Sequence, residues 1–135
     1  MSQPEIFINY RQDDTAMLAE YLRARLEPHL PQGGVFLDTE SIKYGESIGE
    51  NIWPQLDAAQ LLIVLVGPKW HLCEDESGDK RLLYPNDWVR IEIERAKNQN
   101  KKILLVLHQQ EDFHQAGKWL KKMIPSLSFL ADQKF

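Results

Sequence analysis

The chain has 135 residues, of which 43% are hydrophobic and 27% charged, so it is long enough for one soluble globular domain with a real core. Its formal net charge of −4 argues against a general binder of nucleic acid or of anionic membranes. The longest apolar run, Leu61 to Val66, is too short to span a bilayer, and the polar start resembles no signal peptide. The single cysteine, Cys73, excludes an internal disulfide and fits a reducing cytoplasm, while the four scattered histidines predict no metal site.

Segments typical of strands alternate with segments typical of helices along the whole chain. The predicted strands are Glu5–Tyr10, Val35–Asp38, Leu61–Val66, Lys102–Leu107 and Leu127–Leu130. The predicted helices are one capped by Asp13 or Asp14, one opened by Ser47, one from Trp88 to Asn98, and one from Gly117 to Ile124. This order predicts a doubly wound α/β fold of the flavodoxin-like type, with a parallel five-stranded sheet in the strand order 2-1-3-4-5.

In such a fold the ligand site lies beyond the carboxyl ends of the first and third strands. Tyr10 and Arg11 come at the end of the first strand, and Gly67 to Trp70 follow the third. The polar loop Thr39–Glu46 follows the second strand and flanks the same place. We therefore predict a cleft lined by these segments, with the start of the helix Trp88–Asn98 beside it.

The stretch Asp87-Trp88-Val89-Arg90-Ile91-Glu92 places a carboxylate among the apolar residues of one predicted helix. At about 100° per residue, Glu92 lies close to Trp88 and on the arc of Ala96 and Ile93, which should face the core or a cleft. A charge there must be paired, protonated or used in chemistry, because burying it unpaired costs several kcal/mol. From spacing alone, Glu92 is either a structural charge with a partner or a site residue.

Several chemistries lack their residues in this chain. The third strand ends in Gly67-Pro68 rather than in the aspartate of a phosphorylated receiver domain. There is also no Walker loop, no Gly-x-Gly-x-x-Gly after the first strand and no nucleophile elbow. The candidates that remain are a carboxylate, aromatic side chains and two cations: Glu92, Trp88, Trp70, Tyr10, Tyr44, Arg11 and Lys43. This set suits a ligand with planar bases, ribose hydroxyls and a pyrophosphate. A plainer interpretation stays open, in which Arg11 pairs with Asp13, Asp14 or Asp38 and Trp70 caps the core.

The same segments resemble, in order, the sequence pattern of Toll/interleukin-1 receptor (TIR) domains. Ile6–Arg11 resembles their first strand, typically Phe-Ile-Ser-Tyr-Arg, and Val35–Asp38 resembles the second. Thr39–Glu46, with Gly45, resembles the so-called BB loop, and Leu61–Trp70 resembles the bacterial third strand that ends in Gly-Pro-x-Trp. Asp87–Glu92 matches the Trp-x-x-x-Glu signature. Each motif alone is weak, but their order over residues 5–107 makes the resemblance strong.

The resemblance implies an NAD⁺ glycohydrolase or ADP-ribosyl cyclase, for which NAD⁺ is the substrate and no separate cofactor is expected. By position, Glu92 is the expected catalytic residue. The expected substrate-binding residues are Trp88, Tyr10, Arg11, Lys43, Tyr44, Gly45 and Trp70. Bacterial relatives commonly serve antiphage defence, and many members act only when assembled. We therefore expect self-association through the BB-loop residues Ile42, Tyr44 and Gly45.

The resemblance also leaves a second function open, a homotypic TIR scaffold or adaptor without chemistry. Gln12 stands where some NAD-cleaving members carry a second arginine, so we expect phosphate binding to be weaker or arranged differently. Tyr44 precedes Gly45 where signalling adaptors often have proline, which favours the enzyme slightly. We expect residues 1–135 to form a single TIR domain. Since bacterial TIR domains are usually fused to a sensor, that domain could be the N-terminal part of a longer protein.

Overall fold

A computed structural model describes residues 5–37, 49–110 and 113–132, with the backbone alone for residues 49–51. The strands are β1 (Ile6–Asn9), β2 (Val35–Leu37), β3 (Leu61–Val66) and β4 (Lys102–Leu107). The helices are α1 (Gln12–Leu26), α2 (Gly49–Ala58), α3 (Trp88–Asn98) and α4 (Phe113–Met123), with 3₁₀ helices at Glu27–His29, Arg81–Leu83 and Pro125–Asp132. Within this part of the chain, the strands form one parallel sheet in the order β2-β1-β3-β4. The predicted α/β flavodoxin-like fold is confirmed.

Strand β3 lies inside the sheet because both of its faces are apolar. Leu62, Val64 and Val66 pack into the larger core cluster together with side chains of α2 and α3. Ile63 and Leu65 point to the opposite face, where they pack with Ala19 of α1 and its neighbours. This two-sided covering is why the segment shows no polar alternation in the sequence.

Helix α3 has the bounds that the sequence predicts, Trp88 to Asn98. Asp87 is its N-cap, and the Asp87 carboxylate accepts a hydrogen bond of 3.1 Å from the backbone N–H of Arg90. Val89, Ile93 and Ala96 are buried on the inner face, as their spacing indicates. The first turn of α3 lies next to the carboxyl end of β1, since Asn9 donates a hydrogen bond to the backbone carbonyl of Val89. Glu92 lies one turn further along the helix.

Two local predictions were wrong. Leu127–Leu130 does not form a fifth strand but lies in the 3₁₀ helix Pro125–Asp132. Neither Asp13 nor Asp14 caps α1, because both lie inside the helix, whose N-cap is Arg11. The Asp14 carboxylate instead accepts hydrogen bonds of 2.8 Å each from the backbone N–H groups of Gly67 and Lys69. Asp38 and the loop Thr39–Glu46 lie outside the described residues, as does Ser47. Among the helices that the structure describes, none has the length and apolar character that crossing a membrane requires.

Candidate active site

Glu92 is a buried carboxylate that is held by a hydrogen bond from the last residue of β1. Its exposed fraction is only 4%, and its Oε1 accepts a hydrogen bond of 2.9 Å from Nδ2 of Asn9. The same Nδ2 donates to the backbone carbonyl of Val89 at 3.1 Å, one helical turn before Glu92. Asn9 itself is completely buried. One amide group therefore links the end of β1 to both the backbone of α3 and its carboxylate.

Arg11 is also directed at α3 rather than at solvent. Its Nη1 and Nη2 donate to the two carboxylate oxygens of Asp87 at 2.8 Å each, which is the bidentate geometry of a strong pair. The exposed fractions of the two side chains are 4% and 9%. The described partner is thus Asp87 rather than Asp13 or Asp14, while Asp38, the third alternative that the sequence offered, lies outside the described residues. Arg11 fixes the N-cap of the helix that carries Glu92.

Trp88 belongs to a stack that continues from the site to the protein surface. Its ring lies 5.3 Å from the ring of Trp53 in α2, measured between centroids. The guanidinium of Arg95 lies 4.8 Å above the Trp53 ring, and Arg95 in turn binds both carboxylate oxygens of Asp57 at 2.8 Å. The stack holds α2 against α3, since its residues alternate between the two helices.

A cavity of about 710 Å³ opens beside the start of α3, a volume within the range of small-molecule sites. Its described lining includes Tyr10, Arg11, Asp87, Trp88 and Val89, together with the following polar residues and one tyrosine: Gln12, Asp13, Asp75, Glu76, Ser77, Arg81, Tyr84 and Asn86. It lies beside the carboxyl end of β1, where the strand order predicts a ligand site, but the predicted residues Gly67 to Trp70 after β3 are not among its described lining. The cavity reaches the first turn of α3, and Glu92 lies one turn further along the same helix.

The charges on the wall of this cavity are largely paired with each other. Arg81 forms an ion pair of 2.9 Å with Asp13, and Arg11 is bound to Asp87 as described above. The carboxylates of Asp75 and Asp79 beside the Tyr84 hydroxyl, which donates to Oδ2 of Asp79 at 3.0 Å, raise the pKa of Tyr84 to about 12, so the phenol stays neutral at physiological pH. Tyr84 is therefore a hydrogen-bonding wall residue rather than a base.

The structure brings together four of the predicted site residues and separates one. Tyr10, Arg11 and Trp88 line the cavity, and Glu92 lies one helical turn beneath it. Trp70 is fully buried in the larger core cluster, so it is not at the surface of the cleft. The predicted residues Ile42, Lys43, Tyr44 and Gly45 lie outside the described part of the chain.

Sequence reasoning did not single out Asn9, and it considered Asp87 only as the first residue of the stretch Asp87–Glu92. A signal for Asn9 was present, because it is the one polar residue of Ile6–Asn9 and stands at the carboxyl end of that strand. The Arg11–Asp87 pair joins residues that are 76 positions apart, and no local pattern indicates such a pair.

These features define an α/β domain with a carboxylate-bearing helix beside a cleft at the carboxyl edge of its sheet. The TIR-domain family model matches residues 6–133, and the chain therefore belongs to the TIR-domain family. It is 28% identical over 109 residues to the NAD(+) hydrolase sarm1 of Drosophila melanogaster. The match spans 81% of this chain but only 7% of the length of that protein.

A solved structure supports the same fold. The TIR domains of the activated Roq1 resistosome, which directly recognizes the pathogen effector XopQ, are similar to this chain with a TM-score of 0.54 at 12% sequence identity. The similarity covers 96% of this chain and 84% of that one. At this identity the likeness concerns the fold alone.

Proposed function

We propose that this TIR domain cleaves the bond between nicotinamide and ribose in NAD⁺, as a hydrolase or a cyclase. The observation that carries the proposal is the buried carboxylate of Glu92, which accepts a hydrogen bond from Asn9 and lies one helical turn after Trp88, a residue of the cavity wall. The sequence similarity to a protein named as an NAD(+) hydrolase supports it. In the proposal Asp87–Glu92 is the Trp-x-x-x-Glu signature, Glu92 is the catalytic residue, and Trp88 and Tyr10 contact the substrate.

The chemistry needs only one carboxylate. When the bond between the nicotinamide nitrogen and ribose C1′ breaks, its electron pair stays on the nicotinamide, which leaves as a neutral molecule. Positive charge develops on the ribose, as in glycoside hydrolysis, and a fixed carboxylate stabilises it electrostatically. Water then adds to C1′ and releases a proton, which gives ADP-ribose. If a nitrogen of the adenine adds instead, the product is cyclic ADP-ribose.

The burial of Glu92 bears on how such activity is controlled. At 4% exposure its carboxylate is covered, and it is not among the described residues that line the cavity. We propose that self-association opens the site, with the BB-loop residues Ile42, Lys43, Tyr44 and Gly45 at the contact or at the substrate. The dilute monomer should then have low activity, and specific activity should rise with protein concentration.

The biological setting belongs to the same proposal. We propose a cytoplasmic bacterial protein that acts in antiphage defence, in which a fused sensor domain triggers assembly of the TIR domain. Depletion of NAD⁺ would then be the output of the triggered assembly. Expression in bacteria of the domain fused to an oligomerisation tag, followed by measurement of cellular NAD⁺, tests whether assembly triggers NAD⁺ depletion.

The direct test is NAD⁺ turnover by concentrated wild-type protein beside Glu92→Gln, with products separated by chromatography. Loss of a preorganised charge should slow turnover on the order of a hundredfold or more. Circular dichroism of both proteins controls for folding. Equal turnover by a folded Glu92→Gln protein would refute the proposed role of Glu92.

The alternative is a homotypic TIR scaffold that performs no chemistry. The observation that favours it is the low exposure of Glu92, since a covered carboxylate with a hydrogen-bond partner suits a purely structural role. A forced oligomer separates the two functions. If it releases no nicotinamide from NAD⁺ at any concentration, the scaffold is the better description.

A further inference from the structure

The hydrogen bond between Asn9 and Glu92 has a consequence for catalysis that neither residue's sequence motif indicates. We infer that Asn9 is a positioning residue, which holds the Glu92 carboxylate in its reactive orientation by donating to Oε1. This inference deepens the proposed function and rests on it. Asn9 is completely buried and is not among the described residues that line the cavity, so it acts on substrate only through Glu92.

The geometry leaves the Asn9 amide one orientation. Its two contacts are the carbonyl of Val89 and Oε1 of Glu92, and both are acceptors. A rotated amide would direct its own oxygen at these two acceptors, which would be repulsive. The NH₂ group therefore faces α3, and each of its hydrogens has one acceptor.

The opposite side of the amide shows that Asn9 is not optimised for stability. Among the described residues, Oδ1 of Asn9 is buried and has no hydrogen-bond partner. A buried acceptor without a partner costs free energy, so Asn9 stabilises the fold less than its two hydrogen bonds alone would indicate. Residues that break a local rule in this way are expected mainly at functional sites, which agrees with a role through the NH₂ group.

The bond also removes a freedom that would slow the reaction. A glutamate side chain has three rotatable bonds, and a displacement of about 1 Å in a reacting group can cost on the order of a hundredfold in rate. Asn9 contacts both the backbone and the carboxylate of the same helical turn, so it fixes the carboxylate relative to α3. The position of the charge is then set by β1, at the centre of the sheet.

The first experiment compares wild type, Asn9→Ala, Asn9→Ser and Asn9→Asp in steady-state cleavage of NAD⁺, at a concentration where wild type is fully active. Asn9→Ala should lower kcat roughly ten- to a hundredfold with KM within about twofold, because it disorders Glu92 without touching the cavity. Serine is close to alanine in size but keeps a hydrogen-bond donor, and it stands at this position in the family pattern. Asn9→Ser should therefore recover much of the kcat that Asn9→Ala loses. Asn9→Asp keeps the shape but replaces the donor with a like charge, so kcat should stay low.

Two kinetic results would overturn the inference. One is Asn9→Ala with wild-type kcat, and the other is a loss confined to KM. Equal losses in Asn9→Ala and Asn9→Ser, with both proteins folded, would also exclude hydrogen-bond donation as the cause.

The second experiment keeps the inference testable if wild type does not cleave NAD⁺, in which case the proposed function fails first. A thermal double-mutant cycle compares Asn9→Ala, Glu92→Ala and the double variant. If the bond holds Glu92, removing Asn9 should lower the Tm clearly more in wild type than in the Glu92→Ala protein. Equal Tm shifts in the two backgrounds would show that the two side chains are not coupled and would overturn the inference.

Discussion

The guanidinium of Arg11 and the carboxylate of Asp87 share two hydrogen bonds of 2.8 Å, and neither side chain is more than 9% exposed. Both terminal nitrogens of the guanidinium are thus occupied by one partner at the N-terminus of α3. The resemblance to NAD-cleaving domains assigns Arg11 to the substrate instead. A structural role for Arg11 predicts a loss of stability on substitution, whereas a substrate-binding role predicts a raised KM, and the two can be measured separately.

Arg11→Ala should lower the free energy of unfolding by about 3 to 5 kcal/mol, because it leaves the buried Asp87 carboxylate without its partner. Urea unfolding followed by circular dichroism measures this. Arg11→Lys is the matched control, since it keeps the charge but lacks the planar fork, and it should lose less. An Arg11→Ala protein of wild-type stability with a raised KM for NAD⁺ would instead support the substrate-binding role.

Substitution of Trp70 should change stability, whereas substitution of Trp88 should change substrate binding. Trp70 is fully buried in the core, so Trp70→Phe should lower the free energy of unfolding by about 1 to 3 kcal/mol and leave KM unchanged. Trp88 lines the cavity, so Trp88→Ala should raise KM for NAD⁺ by roughly tenfold through lost ring contact. Trp88→Phe keeps an aromatic face and should lie between. Steady-state kinetics and urea unfolding of each variant measure both effects. A Trp70→Phe protein with a changed KM and wild-type stability would contradict the prediction.

Gly67 is required by the close approach of Asp14. A Cβ atom at this position would lie 2.5 Å from a carboxylate oxygen of Asp14, and that carboxylate is held by the N–H groups of Gly67 and Lys69. Gly67→Ala should therefore destabilise the protein by about 1 to 3 kcal/mol. The double variant with Asp14→Ala removes the obstructing atoms, so the alanine should cost less in that background. Additive losses in thermal unfolding would show that the clash is not the cause.

Asp57 makes an ion pair whose contribution to stability depends on pH. The hydrogen bond from Arg95 lowers the pKa of Asp57 from 3.8 to about 2. Since the folded-state pKa lies below the unfolded one, the stabilisation is fully present above pH 3.8 and is lost as the pH falls through about 2. The side chains of Arg95 and Asp57 are 38% and 40% exposed, so solvent screening limits the contribution to about 1 kcal/mol or less.

Asp57→Asn should therefore be less stable than wild type at neutral pH, with a difference that shrinks as the pH is lowered from about 4 to about 2. Added salt should shrink it at neutral pH too, since screening weakens an exposed pair. Urea unfolding across this range measures both effects. A difference that stays constant down to the lowest pH would contradict the assignment.

The sequence predicted α3 well because its signals are local. Asp87 caps the helix, and the apolar spacing of Val89, Ile93 and Ala96 indicates the buried face on which Glu92 also lies. The 3₁₀ helix at the C-terminus was mistaken for a strand because its apolar residues form a short run. Leu127 and Leu130 are both fully buried and three residues apart, which is the 3₁₀ period and not that of a strand.

The remaining differences come from contacts between residues distant in the chain. The Asp14 carboxylate could cap its own helix, but it instead binds the turn after β3, more than 50 residues away. Asn9 and Arg11 reach α3 in the same way. Local propensity says which side chains can accept or donate, whereas the packing of the sheet decides which partner comes within reach.

The contact between Trp53 and Trp88 provides an intrinsic spectroscopic probe of how α2 packs against α3. Two indoles with centroids 5.3 Å apart couple electronically, so the near-ultraviolet circular dichroism of this pair depends on their separation and angle. Trp53 lies on α2, which follows residues 38–48 in the chain, and Trp88 lies at the cavity. A shift of α2 against α3 during assembly or ligand binding should therefore change the spectrum. Trp53→Phe would abolish the coupled signal and leave the other tryptophans as the baseline.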